Sequence, residues 1–238
     1  RGKARERKQL RLVRIGHPAR LHPSVLSHSL DVVIQSGDEK ALANDVRREL
    51  DAMLSGPGRR AQRRADISAL RKELIQREEA ATAQAVRSAD VVLCTCVGAV
   101  GWALKSVPEF DVVIIDEAAQ ALEAACWLPL LRGRRAVLAG DHLQLPPIVK
   151  SSSAAAEGFG RTLFDRLAKM HGDSILRMLT TQYRMNTNIS NWASDQMYGG
   201  KLLAGDGVGE RALCDLPGVM EADLTKAALM LIDTAGCN

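Results

Sequence analysis

The chain has 238 residues, is 46% hydrophobic and 25% charged, and carries a formal net charge of +4 with a pI near 8.9. That balance excludes a disordered chain, and no apolar run reaches the length of a membrane span, so no membrane partner is expected. Aromatic residues make up only 3%, so a core has to be built from Leu, Val, Ile and Ala.

Leu10–Ile15 alternates weakly and stops at Gly16-His17-Pro18, which predicts a short strand and a turn. The first 20 residues hold eight Lys or Arg against one acid, Glu6. Such a cluster is either a footprint for a phosphate backbone or a solvated face, and both readings stay open. The same holds for Arg59, Arg60, Arg63 and Arg64. Ser36-Gly37-Asp38 signals a helix start, and Leu42, Val46, Leu50 and Met53 follow at helical spacing. Ser55-Gly56-Pro57-Gly58 ends that helix. A second helix is predicted from about Arg63 to Val86, with Ile67, Leu70, Leu74 and Ala81 on one side. The two form a helical hairpin over 38–88, inserted into an α/β domain.

A strand–helix rhythm follows. Strands are predicted at Val91–Thr95, Asp111–Asp116, Arg135–Ala139, Ile175–Leu179 and Leu229–Asp233. Helices are predicted at Ala121–Leu131, Thr162–Met170 and Asn186–Tyr198, and Ser151–Ala156 reads as a flexible connection. Continuous apolar strands between helices predict an α/β fold with a parallel sheet covered on both faces. Five cysteines, an odd number without a pair of C-x-x-C motifs, are read as reduced thiols in an intracellular protein. Cys94 and Cys96 are expected on one face of a strand, packed rather than bound to zinc.

Three polar segments follow strands. Val112–Ile115 leads into Asp116-Glu117, and acids at the end of an apolar strand are costly unless something uses them. Nucleotide hydrolases place a magnesium-binding Asp at such a position, and a following Glu can orient and deprotonate water. Gly140-Asp141-His142-Leu143-Gln144-Leu145-Pro146-Pro147 leaves the next strand, and Gln144 can both donate to a phosphate oxygen and accept from water. In Thr180-Thr181-Gln182-Tyr183-Arg184-Met185, Arg184 could stabilise charge in phosphoryl transfer or serve a structural ion pair.

In this order, Asp116-Glu117-Ala118-Ala119-Gln120, the Gly140–Pro147 segment and Gln182-Tyr183-Arg184-Met185 resemble motifs II, III and IV of superfamily 1 helicases. Gly16–Leu21, His28-Ser29-Leu30-Asp31, Trp192-Ala193-Ser194-Asp195 and Asp233–Cys237 narrow the resemblance to the group of the immunoglobulin mu-switch-region-binding and nonsense-mediated decay helicases. It covers nearly the whole chain. It implies RecA-like, P-loop NTPase-type domains that close on ATP and unwind RNA and DNA from 5′ to 3′. On this resemblance, residues 1–37 and 89–177 belong to a first RecA-like domain, 38–88 to an inserted subdomain, and 178–238 to the beginning of a second. Asp116 would hold magnesium and Glu117 would activate water. Asp141, Gln144, Gln182 and Arg184 would bind the nucleotide, with Arg184 also catalytic. Pro18, Arg20, Thr95 and Gly98 would meet a single strand. The resemblance further implies a monomeric motor, cytoplasmic and nuclear, with ribosome or tRNA association.

The phosphate loop G-x-x-x-x-G-K-[ST] is absent, since Gly2-Lys3 and Gly200-Lys201 lack both the upstream Gly and the following Ser or Thr. The chain is therefore expected to be the central portion of a longer helicase, inactive by itself. The alternative expectation is a nucleic-acid-binding module without ATPase activity.

Overall fold

The computed structural model describes residues 10–16, 21–35, 37–55 and 60–236. Strand β1 (Leu12–Arg14) buries Val13 and leaves its neighbours half-buried, as alternation of side chains requires. It pairs in parallel with β2 (Val91–Leu93), Val13 opposite Val92. Parallel neighbours need a long crossover. Here it consists of a 3-10 turn at Pro23–His28, helix α1 (Leu30–Gln35), and the hairpin of α2 (Asp38–Ser55) and α3 (Arg60–Ser88). Helix α1 was not legible in the sequence, because six residues are too few to show a period, yet its Leu30 is buried.

The predicted start at Asp38 matches the first residue of α2. The buried stripe is Ala43, Val46 and Leu50, whereas Leu42, expected inward, is 45% exposed. Arg47 and Glu78 form an ion pair that joins the two helices. The last turns of α3 bury Ala81, Ala83, Ala85 and Val86. Ala85 and Val86 pack with Val13, Leu30, Ala103, Leu104 and Val107, and Ile15, Val33, Val92 and Phe110 lie against this cluster. The hairpin is therefore rooted in the core of the strand-bearing unit through α3, since burying these apolar groups is the main force ordering that end of the helix.

The next strands, β3 (Val113–Ile115) and β4 (Ala136–Leu138), pair in parallel with Ile114 opposite Val137. Helix α4 (Glu123–Leu130) lies between them in sequence and buries Cys126 completely. Arg132, just after it, donates from Nη2 to the carbonyls of Leu104 at 2.6 Å and Val107 at 3.0 Å. Helices α5 (Ser152–Ala156) and α6 (Leu163–His171) follow. Segment 151–156, expected as a flexible connection, is thus helical: Ser151 Oγ accepts from Ala154 N at 3.3 Å, and the alanines favour the helix.

The chain forms two compact units, one running to Asp165 and one from Arg166. In the second, β5 (Thr181–Gln182) pairs in parallel with β6 (Leu203–Ala204), and α7 (Thr187–Met197) lies between them in sequence. The predicted helix Asn186–Tyr198 is α7 with its caps: Asn186 Oδ1 accepts from Asn188 N at 2.9 Å. Two predicted strands are not formed. After a 3-10 turn at Gly172–Ser174, residues 175–179 pair with no strand and Leu179 is 86% exposed. Residues 229–233 are likewise unpaired, with Leu231 91% exposed. A strand exists only where a neighbour takes its hydrogen bonds, and none lies beside either run among the described residues.

The α/β class and the parallel pairing agree with the sequence. Among the described residues, however, the strands make three separate two-stranded sheets instead of one covered sheet. Coverage is one-sided in β3 and β4: Ile115 is buried, whereas Ile114 is 69% exposed and its partner Val137 is 52% exposed.

Candidate functional site

The end of β3 turns sharply into the acids. Glu117 has φ 52° and ψ 37°, the left-handed region, and is the one non-glycine residue with positive φ among those described. An L side chain there costs about 1–2 kcal/mol, a cost that concentrates at functional turns. The turn is held by its own polar groups. Glu117 N donates to Asp116 Oδ1 at 3.1 Å, and Gln120 Nε2 donates to Glu117 Oε2 at 3.0 Å. Both carboxylates remain exposed.

The end of β4 closes onto this turn. Ala139 N donates to Ile115 O at 2.9 Å, and Ala118 N donates to Ala139 O at 2.8 Å. A Cβ on Gly140 would lie 2.9 Å from Ala119 N and 3.1 Å from Ala118 N, so only glycine lets the two loops approach. Beyond it, Asp141 Oδ1 accepts from Leu143 N at 3.0 Å, and Gln144 Nε2 donates to Asp141 Oδ2 at 2.8 Å. His142 stacks on Phe164 with ring centroids 5.9 Å apart. The structure thus brings together the loops that carry Asp116, Glu117, Asp141 and Gln144. Gln120 and the His142–Phe164 stack escaped the sequence reading. Gln120 lies three residues beyond Glu117, which is one turn of a 3-10 helix and the available signal.

In the second unit, Gln182 folds back on its own turn. Its Oε1 accepts from Arg184 N and Met185 N, each at 2.8 Å, and its Nε2 donates to Met185 O at 2.8 Å. Arg184 is exposed and pairs with no acid among the described residues. It precedes the Asn186 cap of α7.

Thr95 lies past the end of β2, which stops at Leu93, two residues short of the predicted strand. Its Oγ1 accepts from Gly98 N at 3.1 Å, and a Cβ on Gly98 would come 3.2 Å from that oxygen. Thr95 and Gly98 are therefore one tight turn. Cys94 and Cys96 accordingly lie beyond the strand and do not share a strand face. Cys94, Cys96, Cys126 and Cys214 are free thiols. Cys126 is buried, but Cys96 is half-buried and Cys94 exposed, so the expected packing of that pair does not form; desolvation of the sulfur still raises the Cys94 and Cys126 thiols above their usual range, with Cys96 adding to both. His17, Pro18, Arg20 and Arg59 lie outside the described residues.

The acids suit magnesium by donor chemistry. The ion takes hard oxygen ligands, commonly one or two carboxylates plus substrate phosphates, and Asp116 and Glu117 are exposed carboxylates. Among the described residues no group of three or more metal-ligating side chains forms.

Two acids at the exit of one parallel strand, against a Gly-Asp-x-x-Gln loop at the exit of the next, stand at the edge where α/β proteins of the nucleotide-binding class hold their ligands. Comparison with known proteins agrees: residues 55–152 match one AAA domain family and residues 159–238 match a second AAA domain family. Residues 55–152 and 159–238 thus carry AAA domains, and the chain is homologous to superfamily 1 helicases while spanning only about a quarter to a third of the length of the first two of these relatives. It is 49% identical over 236 residues to DNA-binding protein SMUBP-2 of Rattus norvegicus, covering 95% of this chain and 24% of that protein. It is 42% identical over 232 residues to DNA polymerase alpha-associated DNA helicase A of Schizosaccharomyces pombe, covering 94% of this chain and 34% of the relative. To the regulator of nonsense transcripts 1 homolog of Neurospora crassa it is 35% identical over 179 residues, covering 75% of this chain and 16% of the relative.

Proposed function

We propose that the chain is the central portion of an ATP-dependent helicase, coupling ATP hydrolysis to 5′-to-3′ movement on single-stranded RNA or DNA. The observation that carries this reading is the closure of Gly140 onto the amides of Ala118 and Ala119, which sets two polar loops side by side at the exits of adjacent parallel strands. Ligands of open α/β sheets, RecA-like ones among them, bind at that edge.

Asp116 would hold magnesium, which when bound neutralises charge on the phosphate oxygens. The Glu117 carboxylate would take the proton of the attacking water, its backbone set by the left-handed turn and its Oε2 steadied by Gln120. Gln144, tied to Asp141, would sense the γ-phosphate. Arg184 is assigned to a phosphate of the nucleotide, and Gln182 to positioning that arginine. In the arrangement described, Gln182 holds the turn that presents Arg184, and the guanidinium is the group left to meet an anion. Thr95 and Gly98, with Pro18 and Arg20, are assigned to the strand's backbone. We further assign the parent to the cytoplasm and nucleus as a monomeric motor with access to ribosomes and tRNA.

The test has two arms. The purified 238-residue chain, which has no phosphate loop, is expected to show no ATP turnover above background; robust magnesium-dependent hydrolysis would overturn its reading as a portion of the motor. In the full-length parent, Glu117→Gln is expected to keep ATP binding and lower turnover by about 10²–10⁴, the usual worth of a positioned base. Equal turnover in parent and variant would remove Glu117 from that role.

A further inference from the structure

The segment after Thr95 forms two consecutive 3-10 turns, Val97–Val100 and Trp102–Leu104, joined at Gly101. The turns are two-faced. Ala99, Ala103 and Leu104 point into the protein at 4%, 3% and 2% exposure, the last two within the core cluster. Val97, Val100 and Trp102 face outward at 65%, 57% and 67%. An indole two-thirds exposed on a rigid, core-anchored turn forgoes the burial that usually stabilises Trp.

The surroundings say what it suits. Lys105, directly after the turn, is exposed, and Arg87 of α3 is held beside the same segment by its hydrogen bond from Nη2 to Ser106 O at 3.0 Å. The nearby acids are already engaged: Glu109 pairs with Arg134, and Glu123, on the helix that packs against Val97–Val100, accepts from Trp127 Nε1 at 3.3 Å. The segment therefore carries an exposed indole, an exposed Lys105 three residues on and Arg87 bonded to the carbonyl of Ser106, and it is continuous in sequence with the Thr95–Gly98 turn. That combination matches single-stranded nucleic acid, in which a base stacks and the phosphates beside it are drawn to positive charge.

We propose that Trp102 is a stacking residue for one base of the bound single strand, with Lys105 and Arg87 facing the adjoining phosphates. The proposal rests on the reading of the chain as part of a nucleic-acid motor and names a contact that the helicase motifs do not contain.

The experiment titrates the 238-residue chain with a fluorescein-labelled 15-nucleotide oligo(dT) and measures anisotropy at two salt concentrations. Trp102→Ala is expected to weaken binding about tenfold or more, Trp102→Phe to retain most of it, and Trp192→Ala to match the parent chain. A change shared equally by all three variants would overturn the assignment. As a second readout that needs no truncation, the chain with Trp127→Phe and Trp192→Phe keeps Trp102 as its one indole, and oligo(dT) should quench its emission. Normal, salt-sensitive binding by Trp102→Ala, or unquenched emission in the single-indole chain, would overturn the stacking role and leave the helicase reading intact. Failure of the unmodified chain to bind oligo(dT) at low salt would overturn both. Self-association abolished by Trp102→Ala, with oligo(dT) binding unchanged, would reassign the face to a second copy and sink the proposal.

Discussion

The two polar turns that carry the candidate chemistry solve the same problem in opposite ways. In the first unit, Asp116 accepts from Glu117 N, Glu117 accepts from Gln120, and Asp141 accepts from Leu143 N and Gln144, and the carboxylates of Asp116 and Glu117 stay exposed. In the second, Gln182 spends its amide on the backbone of Arg184 and Met185, and the exposed group is the arginine one step away. A polar residue in a motif can thus be the contact itself or the clasp that presents the contact. The sequence makes these look alike; the hydrogen bonds separate them.

The comparison breaks most severely if the presented group is not the one that acts. In the full-length parent, Arg184→Ala is expected to lower ATP turnover by about 10³–10⁵, the range of an arginine acting on a transferring phosphoryl group. Steady-state hydrolysis at saturating ATP reads this out, and a loss of less than tenfold would leave Arg184 a surface residue.

A smaller effect separates clasp from contact in the isolated chain. Gln182→Ala removes three hydrogen bonds from a half-buried turn and should cost about 1–3 kcal/mol in urea unfolding. Gln144→Ala removes one side-chain bond at an exposed position and should stay within about 0.5 kcal/mol of the parent. Indistinguishable unfolding midpoints for the two variants would erase the contrast.

The smallest expected effect concerns the strained turn. At Glu117, glycine should be more stable than alanine by about 1 kcal/mol, the reverse of the usual order in regular structure, because only glycine adopts positive φ freely. Thermal unfolding of Glu117→Gly against Glu117→Ala measures it, and alanine as the more stable of the two would mean that the turn relaxes.

How much could be read without coordinates follows from the range of the forces involved. The α2–α3 hairpin was legible to within about three residues at each end, since helices satisfy their backbone locally and advertise it through caps and a 3.6-residue period. The acids after β3 and the Gly-Asp-x-x-Gln loop after β4 were legible because charge following an apolar strand is conspicuous in any order of folding. The strands predicted at 175–179 and 229–233 failed because an apolar run announces only the wish to be buried, whereas a strand also needs a neighbour, and neighbours are chosen across the chain.

By itself, then, the sequence determined the α/β class, the helical hairpin, and which residue types stand at the strand exits, because these depend on interactions within a few residues. Tertiary structure alone decided that Gly140 seats one loop against the other, that Glu117 lies in a left-handed turn, that Gln182 faces its own backbone, and that Trp102 faces outward. The seating of Gly140 and the outward face of Trp102 follow from close packing between segments distant in sequence, whereas the Gln182 clasp and the Glu117 turn are decided by competition among hydrogen bonds within a few residues, which the order of residue types does not resolve.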